Sequence, residues 1–186
     1  MSVIEYIILS IALSIPTLIT LRGCALKHHI RLTKGMAFSL LIGVEHALLL
    51  LLGIWVGNML RFGLPEYDNL IYLGLMVVVA LRMFFPAFRK KEKELPSYDI
   101  SRLGTVLLLG VATGTNILFV GLGLGFRVLF ANDLWRGGIP MLVVVFLLCY
   151  LGIMMGRRKK EMRERRWQLI AVLFLLIFAI KGAFFS

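Results

Sequence analysis

The sequence predicts an all-α integral membrane protein, six transmembrane helices built as two inverted three-helix repeats, and three observations predict it. Hydrophobic residues make up 60% of the 186, with a mean hydropathy of +0.90, more apolar surface than a soluble core of this size can bury. These residues fall into runs of roughly 20, the length at which a helix crosses the hydrocarbon core. The basic residues lie between the runs and are concentrated in alternate connections. A net charge of +11 raises nucleic acid as a partner. A nucleic-acid surface, however, gathers its charge on one soluble face, and here the charge comes in short runs between apolar stretches. Nucleic acid is excluded on that pattern. The chain reads as a single transmembrane domain over 1–186, with repeat one at about 1–88, a connection at about 89–102 and repeat two at about 103–186.

The first span, Val3–Leu21, lacks the basic start of a signal peptide and carries Glu5 instead, so it reads as a retained helix. Within it Pro16 removes a backbone donor and opens nearby carbonyls, with Thr17 adjacent. The second span, Met36–Leu60, holds Glu45 and His46 well inside, and the third, Asn69–Phe88, holds Arg82. The fourth, Leu103–Phe126, contains Thr113, Thr115 and Asn116 among five glycines from Gly110 to Gly125. Those glycines permit either an unwound or a closely packed backbone. The fifth span is Ile139–Gly156. The sixth, Trp167–Phe185, has Lys181 near its end, able to snorkel toward Glu5 at the same level. The charged connection Arg89–Arg102 contains Pro96 and reads as a solvated loop.

Orientation follows from the basic residues. The first, third and fifth connections carry 16 of the 21 Lys and Arg, and the second and fourth carry three, Arg61, Arg127 and Arg136. The odd connections are therefore expected in the cytoplasm, against anionic lipid, with both termini outside a cell (inner) membrane. Tyr6, Trp55, Tyr67, Tyr72 and Trp135 fall near the expected outer boundary, and Tyr98 and Trp167 near the inner one. Cys24 and Cys149 lie toward the reducing side and read as small packing residues.

The repeat is visible in the motifs. Leu52-Gly53-Ile54-Trp55-Val56-Gly57 in the second span answers Leu151-Gly152-Ile153-Met154-Met155-Gly156 in the fifth. Both put Gly-xxx-Gly on one helix face, where backbones can approach closely. Ser14-Ile15-Pro16-Thr17 and Gly114-Thr115-Asn116-Ile117 occupy matching points of the first and fourth. Three helices plus three sets the halves in opposite orientations, a plan used by secondary transporters with a site near the midplane.

Ionisable groups inside a membrane are costly and mark function or structural pairs. Glu45 and Arg82 lie at similar depths, so one expectation is a structural Glu45–Arg82 ion pair. The other places Glu45 in a pathway with His46, Asn116, Thr113, Thr115, Pro16 and Thr17. As metal ligands only Glu45 and His46 are candidates, since His28 and His29 sit among Lys27 and Arg31. No cofactor is expected.

With these motifs the sequence resembles the bacterial putative manganese efflux pump family, nearly end to end. Ala112–Leu124 is similar to that family's fourth-helix motif, Leu151–Arg157 to its fifth-helix ending, and Arg82-Met83 with Phe88-Arg89 to the end of its third helix. The resemblance implies six helices in two repeats and export of a divalent cation, or a related small solute, from the cytoplasm. The family's first- and fourth-helix motifs read Ser-x-Asp, and here Pro16 and Asn116 stand at the acid positions, with Pro86 at a third. Two other readings stay open. One is a non-transporting membrane subunit that has lost its metal site. The other is an intramembrane enzyme, which would need a further acid or His cluster, or an activated nucleophile.

Overall fold

The computed structural model describes residues 3–27, 31–63, 67–88, 103–127, 130–158 and 164–184. These form α1 (Val3–Lys27), α2 (Leu32–Arg61), α3 (Asp68–Phe88), α4 (Leu103–Gly125), α5 (Phe130–Arg157) and α6 (Glu164–Phe184). No strand occurs among the described residues. Five of the helices, α1 to α5, are long and apolar enough to cross a membrane. The exception is α6, whose described residues begin with Glu164-Arg165-Arg166 and include Lys181 near the other end. His28, His29, Tyr98 and the Arg89–Arg102 connection lie outside the described residues, as does the side chain of Pro86.

Two boundaries move by well over one helical turn. The first helix runs past Leu21 to Lys27, because Arg22 does not leave the bundle. Its Nη1 donates to Glu164 Oε1 at 2.8 Å, and its side chain is only 9% exposed. A charge met by a partner within the bundle need not end a helix. The fifth helix begins at Phe130, ahead of Ile139, and contains Pro140. The segment read as loop is packed there, Gly137 against the Tyr6 ring and Gly138 against Leu51.

Outward faces confirm the membrane class. On α2, Leu40, Val44, Leu48, Leu52, Trp55 and Met59 form an exposed stripe at spacings of three and four residues. The opposite stripe, from Phe38 through Ile42, His46 and Leu50 to Ile54, is buried. A soluble protein does not leave one such apolar stripe to water, whereas lipid covers it without cost. Trp55, Tyr67, Trp135 and Trp167 are exposed, as an interfacial belt requires. Tyr6 and Tyr72 are not: both are turned inward and buried. The Tyr72 hydroxyl donates to the Phe178 carbonyl at 3.2 Å, with the Arg127 guanidinium over its ring. That hydrogen bond holds Tyr72 inside the bundle, and packing of the Tyr6 ring against Gly137 does the same for Tyr6. Cys24 and Cys149 form no disulfide and are fully buried in the core.

Laterally, α2 packs on α4 and α5, α1 on α5 and α6, and α3 on α4 and α6, with α1 also touching α4. The helices thus form a closed ring in the order α1, α5, α2, α4, α3, α6. Successive contacts give the directions. Gly53 meets the Leu118 carbonyl and Gly57 that of Leu122, so α2 and α4 run parallel. Gly152 meets Leu18 and Gly156 meets Arg22, so α1 and α5 run parallel too. Glu5–Lys181 and Arg22–Glu164 ion pairs at opposite ends make α1 and α6 antiparallel. The expected reach of Lys181 toward Glu5 is realised.

The glycines settle between their two readings. A Cβ at Gly53, Gly57, Gly121 or Gly125 would lie 2.2–2.5 Å from a carbonyl oxygen of the facing helix. Backbone meets backbone along this seam, and α4 is helical throughout. Close packing accounts for them.

Candidate functional site

The α2–α4 seam opens from backbone contact into a side-chain layer one turn and more before Gly53. There Gly110 and Gly114 of α4 face Glu45, His46 and Leu49 of α2. A Cβ at Gly110 would lie 1.8 Å from Glu45 Oε2, so the carboxylate occupies the volume a side chain would take. At Gly114 a Cβ would come within 2.9 Å of the His46 ring. Glycine at these positions makes room for the two polar side chains.

His46 is fully buried. Its Nε2 lies 3.2 Å from both the Gly110 carbonyl and Thr113 Oγ1. The Thr113 hydroxyl itself donates to the Leu109 carbonyl at 2.9 Å. On the other side of the imidazole, Nδ1 is buried with no hydrogen-bond partner, and so is Glu45 Oε2. The same holds for Asn116 Oδ1, farther along α4, and for Thr17 Oγ1 on α1. Buried polar atoms without partners are uncommon and each costs about 1–3 kcal/mol. Four of them near the middle of three helices coincide with residues that the sequence marks as a pathway.

Other expected members are placed differently. Thr115 is on α4 too, but its hydroxyl turns back to the Val111 carbonyl at 3.0 Å, at an exposed position. Pro16 lies within α1, which continues unbroken through it, and its own carbonyl accepts from Thr20 at 2.9 Å. The Glu45–Arg82 ion pair is not formed. Arg82 is exposed on α3, which packs on α4 and α6, whereas Glu45 sits against α4 from the α2 side. Equal depth did not make them neighbours, because lateral order separates the helices that carry them. Among the described residues, no group of three or more His, Cys, Asp or Glu gathers as a metal site. Neutral oxygens must therefore complete any coordination shell.

Sequence reading passed over Ser10 and Ser39 and used Ser14 only as part of a repeat motif; all three are buried. Each hydroxyl donates to the carbonyl four residues back, at 2.7, 2.6 and 2.8 Å. Serines four apart in an apolar run were the available signal. Their local bonding explains why they are tolerated, and it leaves them satisfied without a ligand.

Comparison with known proteins bears on what such a bundle does. The profile of the family described as "Putative manganese efflux pump" matches residues 29–182. The chain is 24% identical over 173 residues to putative manganese efflux pump MntP 1 of Wolinella succinogenes, covering 93% of this chain and 92% of that one. It is 25% identical over 180 residues to the pump of the same description from Aliarcobacter butzleri, covering 96% and 97%. For that of Syntrophotalea carbinolica the figures are 26% over 175 residues, 93% and 91%. No solved structure matches. With a family match over most of its length and relatives alike from end to end, the chain belongs to the putative manganese efflux pump family.

Proposed function

We propose that this chain exports a divalent metal cation across the cell (inner) membrane, through the layer between α2 and α4 that contains Glu45, His46 and Thr113, with Thr17 and Asn116 farther along. One observation carries the reading: Thr17 Oγ1, Glu45 Oε2, His46 Nδ1 and Asn116 Oδ1 are buried without partners. A retired bundle kept only as a subunit gains nothing from such atoms. A partly dehydrated cation gives lone pairs of this kind the partner they lack. The relatives described as manganese efflux pumps supply the direction and the class of cargo.

The architecture proposed for this transport is six spans in two inverted repeats. Its support is the matching of contacts across the halves. Gly53 and Gly57 of α2 meet the carbonyls of Leu118 and Leu122, and Gly152 and Gly156 of α5 meet those of Leu18 and Arg22. Leu18 and Arg22 stand at constant offset from Leu118 and Leu122, so the same seam is built twice. Exchanging α1 with α4, α2 with α5 and α3 with α6 also returns the observed ring of neighbours. The basic connections join helix ends on one side of such a bundle, which we assign to the cytoplasm, where anionic lipid is their partner.

The test is flux. Purified chain in sealed vesicles with an entrapped metal-responsive dye should pass divalent cation faster than protein-free vesicles, and Glu45→Gln should reduce that flux by about tenfold or more. Flux equal to that of empty vesicles, or indifferent to Glu45→Gln, would sink the proposal.

A further inference from the structure

His46 has two ring nitrogens in different surroundings, and the difference carries a statement about cargo. A carbonyl oxygen can only accept, so Nε2, 3.2 Å from the Gly110 carbonyl, carries the proton. Thr113 gives its own proton to Leu109, which leaves its oxygen to accept from the same Nε2–H at 3.2 Å. In a neutral imidazole the lone pair is then on Nδ1, the buried nitrogen without a partner. An imidazole that donates one nitrogen to a carbonyl and offers the other is oriented as metal-ligating histidines are.

The remaining donors are few. Along Leu103–Gly125, α4 has no acidic residue. Glu5, Asp68 and Glu164 lie at helix ends and pair with Lys181, Arg61 and Arg22. The middle of the bundle therefore offers one carboxylate, Glu45, one imidazole nitrogen and neutral oxygens. Among the first-row divalent ions manganese gains least from exchanging anionic oxygen for imidazole, whereas cobalt, nickel and zinc gain more.

We infer that His46 Nδ1 is the discriminating ligand of the pathway and that this chain favours nitrogen-binding late first-row cations (cobalt, nickel, zinc) over manganese. The inference rests on the cation-export reading above. Thr113 acts as a positioning residue: it holds the ring so that Nδ1 faces the cargo, and need not touch the metal itself.

The experiment is competition binding of Mn²⁺, Co²⁺, Ni²⁺ and Zn²⁺ to the purified full chain. Because late metals bind most sites more tightly, the deciding quantity is how the gap to manganese changes. His46→Asp should shrink the zinc-to-manganese ratio by about tenfold or more. Thr113→Val should weaken zinc by about tenfold while manganese moves about twofold at most, and Thr113→Ser should restore zinc. A second measurement needs no change at the site: in a chain with His28→Gln and His29→Gln, ¹⁵N-histidine spectra should show Nδ1 shifting on zinc addition while Nε2 keeps its proton. An unchanged ratio in His46→Asp, or metallation at Nε2, would overturn the inference while leaving cation export standing. Absence of binding by any of the four ions would remove both.

Discussion

At Gly110 a missing methyl group decides where Glu45 lies. The carboxylate fills the space over this glycine, so Gly110→Ala should evict it. The expected result is a loss of cation flux by about tenfold or more with folded yield near wild type, because a flexible side chain and not backbone is displaced. Flux at the wild-type level would show that the carboxylate works elsewhere. A second residue-scale expectation concerns manganese. The native chain should relieve manganese toxicity poorly in a cell lacking its own exporter, since Pro16 and Asn116 supply no charge at the positions where the resemblance implies acids. The pair Pro16→Asp with Asn116→Asp should gain protection, and more than either alone. Growth at matched membrane expression measures it, and full protection by the native chain would refute it. Glu45 and His46 were legible in the sequence because ionisable groups in an apolar run are costly enough to demand a reason. The unlike roles of the two imidazole nitrogens were not. They depend on a carbonyl and a hydroxyl of α4, more than sixty residues away in the chain.

At the scale of elements, seams where backbone meets backbone should be the least tolerant of change. A Cβ at Gly57 would fall 2.2 Å from the Leu122 carbonyl, whereas one at Gly74 meets nothing within 4 Å. Gly57→Ala should therefore destabilise the bundle by about 1–3 kcal/mol. Gly74→Ala should be neutral or stabilising by up to about 1 kcal/mol from helix propensity. Unfolding in mixed detergent would rank the two, and the reverse order would contradict the packing described. The helices themselves were legible, since apolar run length locates them without knowledge of neighbours. What ran past expectation did so for contact reasons: α1 continues because Arg22 finds Glu164, and α5 starts early because Gly137 and Gly138 pack on Tyr6 and Leu51. The Glu45–Arg82 pair failed for a related reason. Hydropathy gives depth along the membrane normal and says nothing of which helix stands beside which.

For the whole molecule, single cysteines at Lys91 or Lys160 should resist an impermeant thiol reagent in intact cells and react after lysis, if the basic connections face the cytoplasm. Strong labelling from outside would invert the assignment. The inverted two-repeat architecture proposed above could be read in the sequence only from its motifs, because glycines four apart mark where backbones approach closely. The α1–α6 ion pairs have one consequence of their own. Glu5 to Arg22 and Glu164 to Lys181 are both separations of seventeen residues, so the two helices keep one register from the first pair to the second. At helical rise that is about 26 Å, a little under the hydrocarbon thickness of about 30 Å. The protein thus contains a fixed gauge, charged at both marks, against which a bilayer is measured. In a membrane thicker than the gauge, the lipid must thin or the charges must enter oil, at a fraction of a kcal/mol per ångström. Vesicles of graded acyl-chain length should then show flux declining once the hydrocarbon exceeds that span, and a flat response would mean that the marks do not sit at the headgroups. Membrane thickness becomes a setting for this molecule, read through the seam between its first helix and its last.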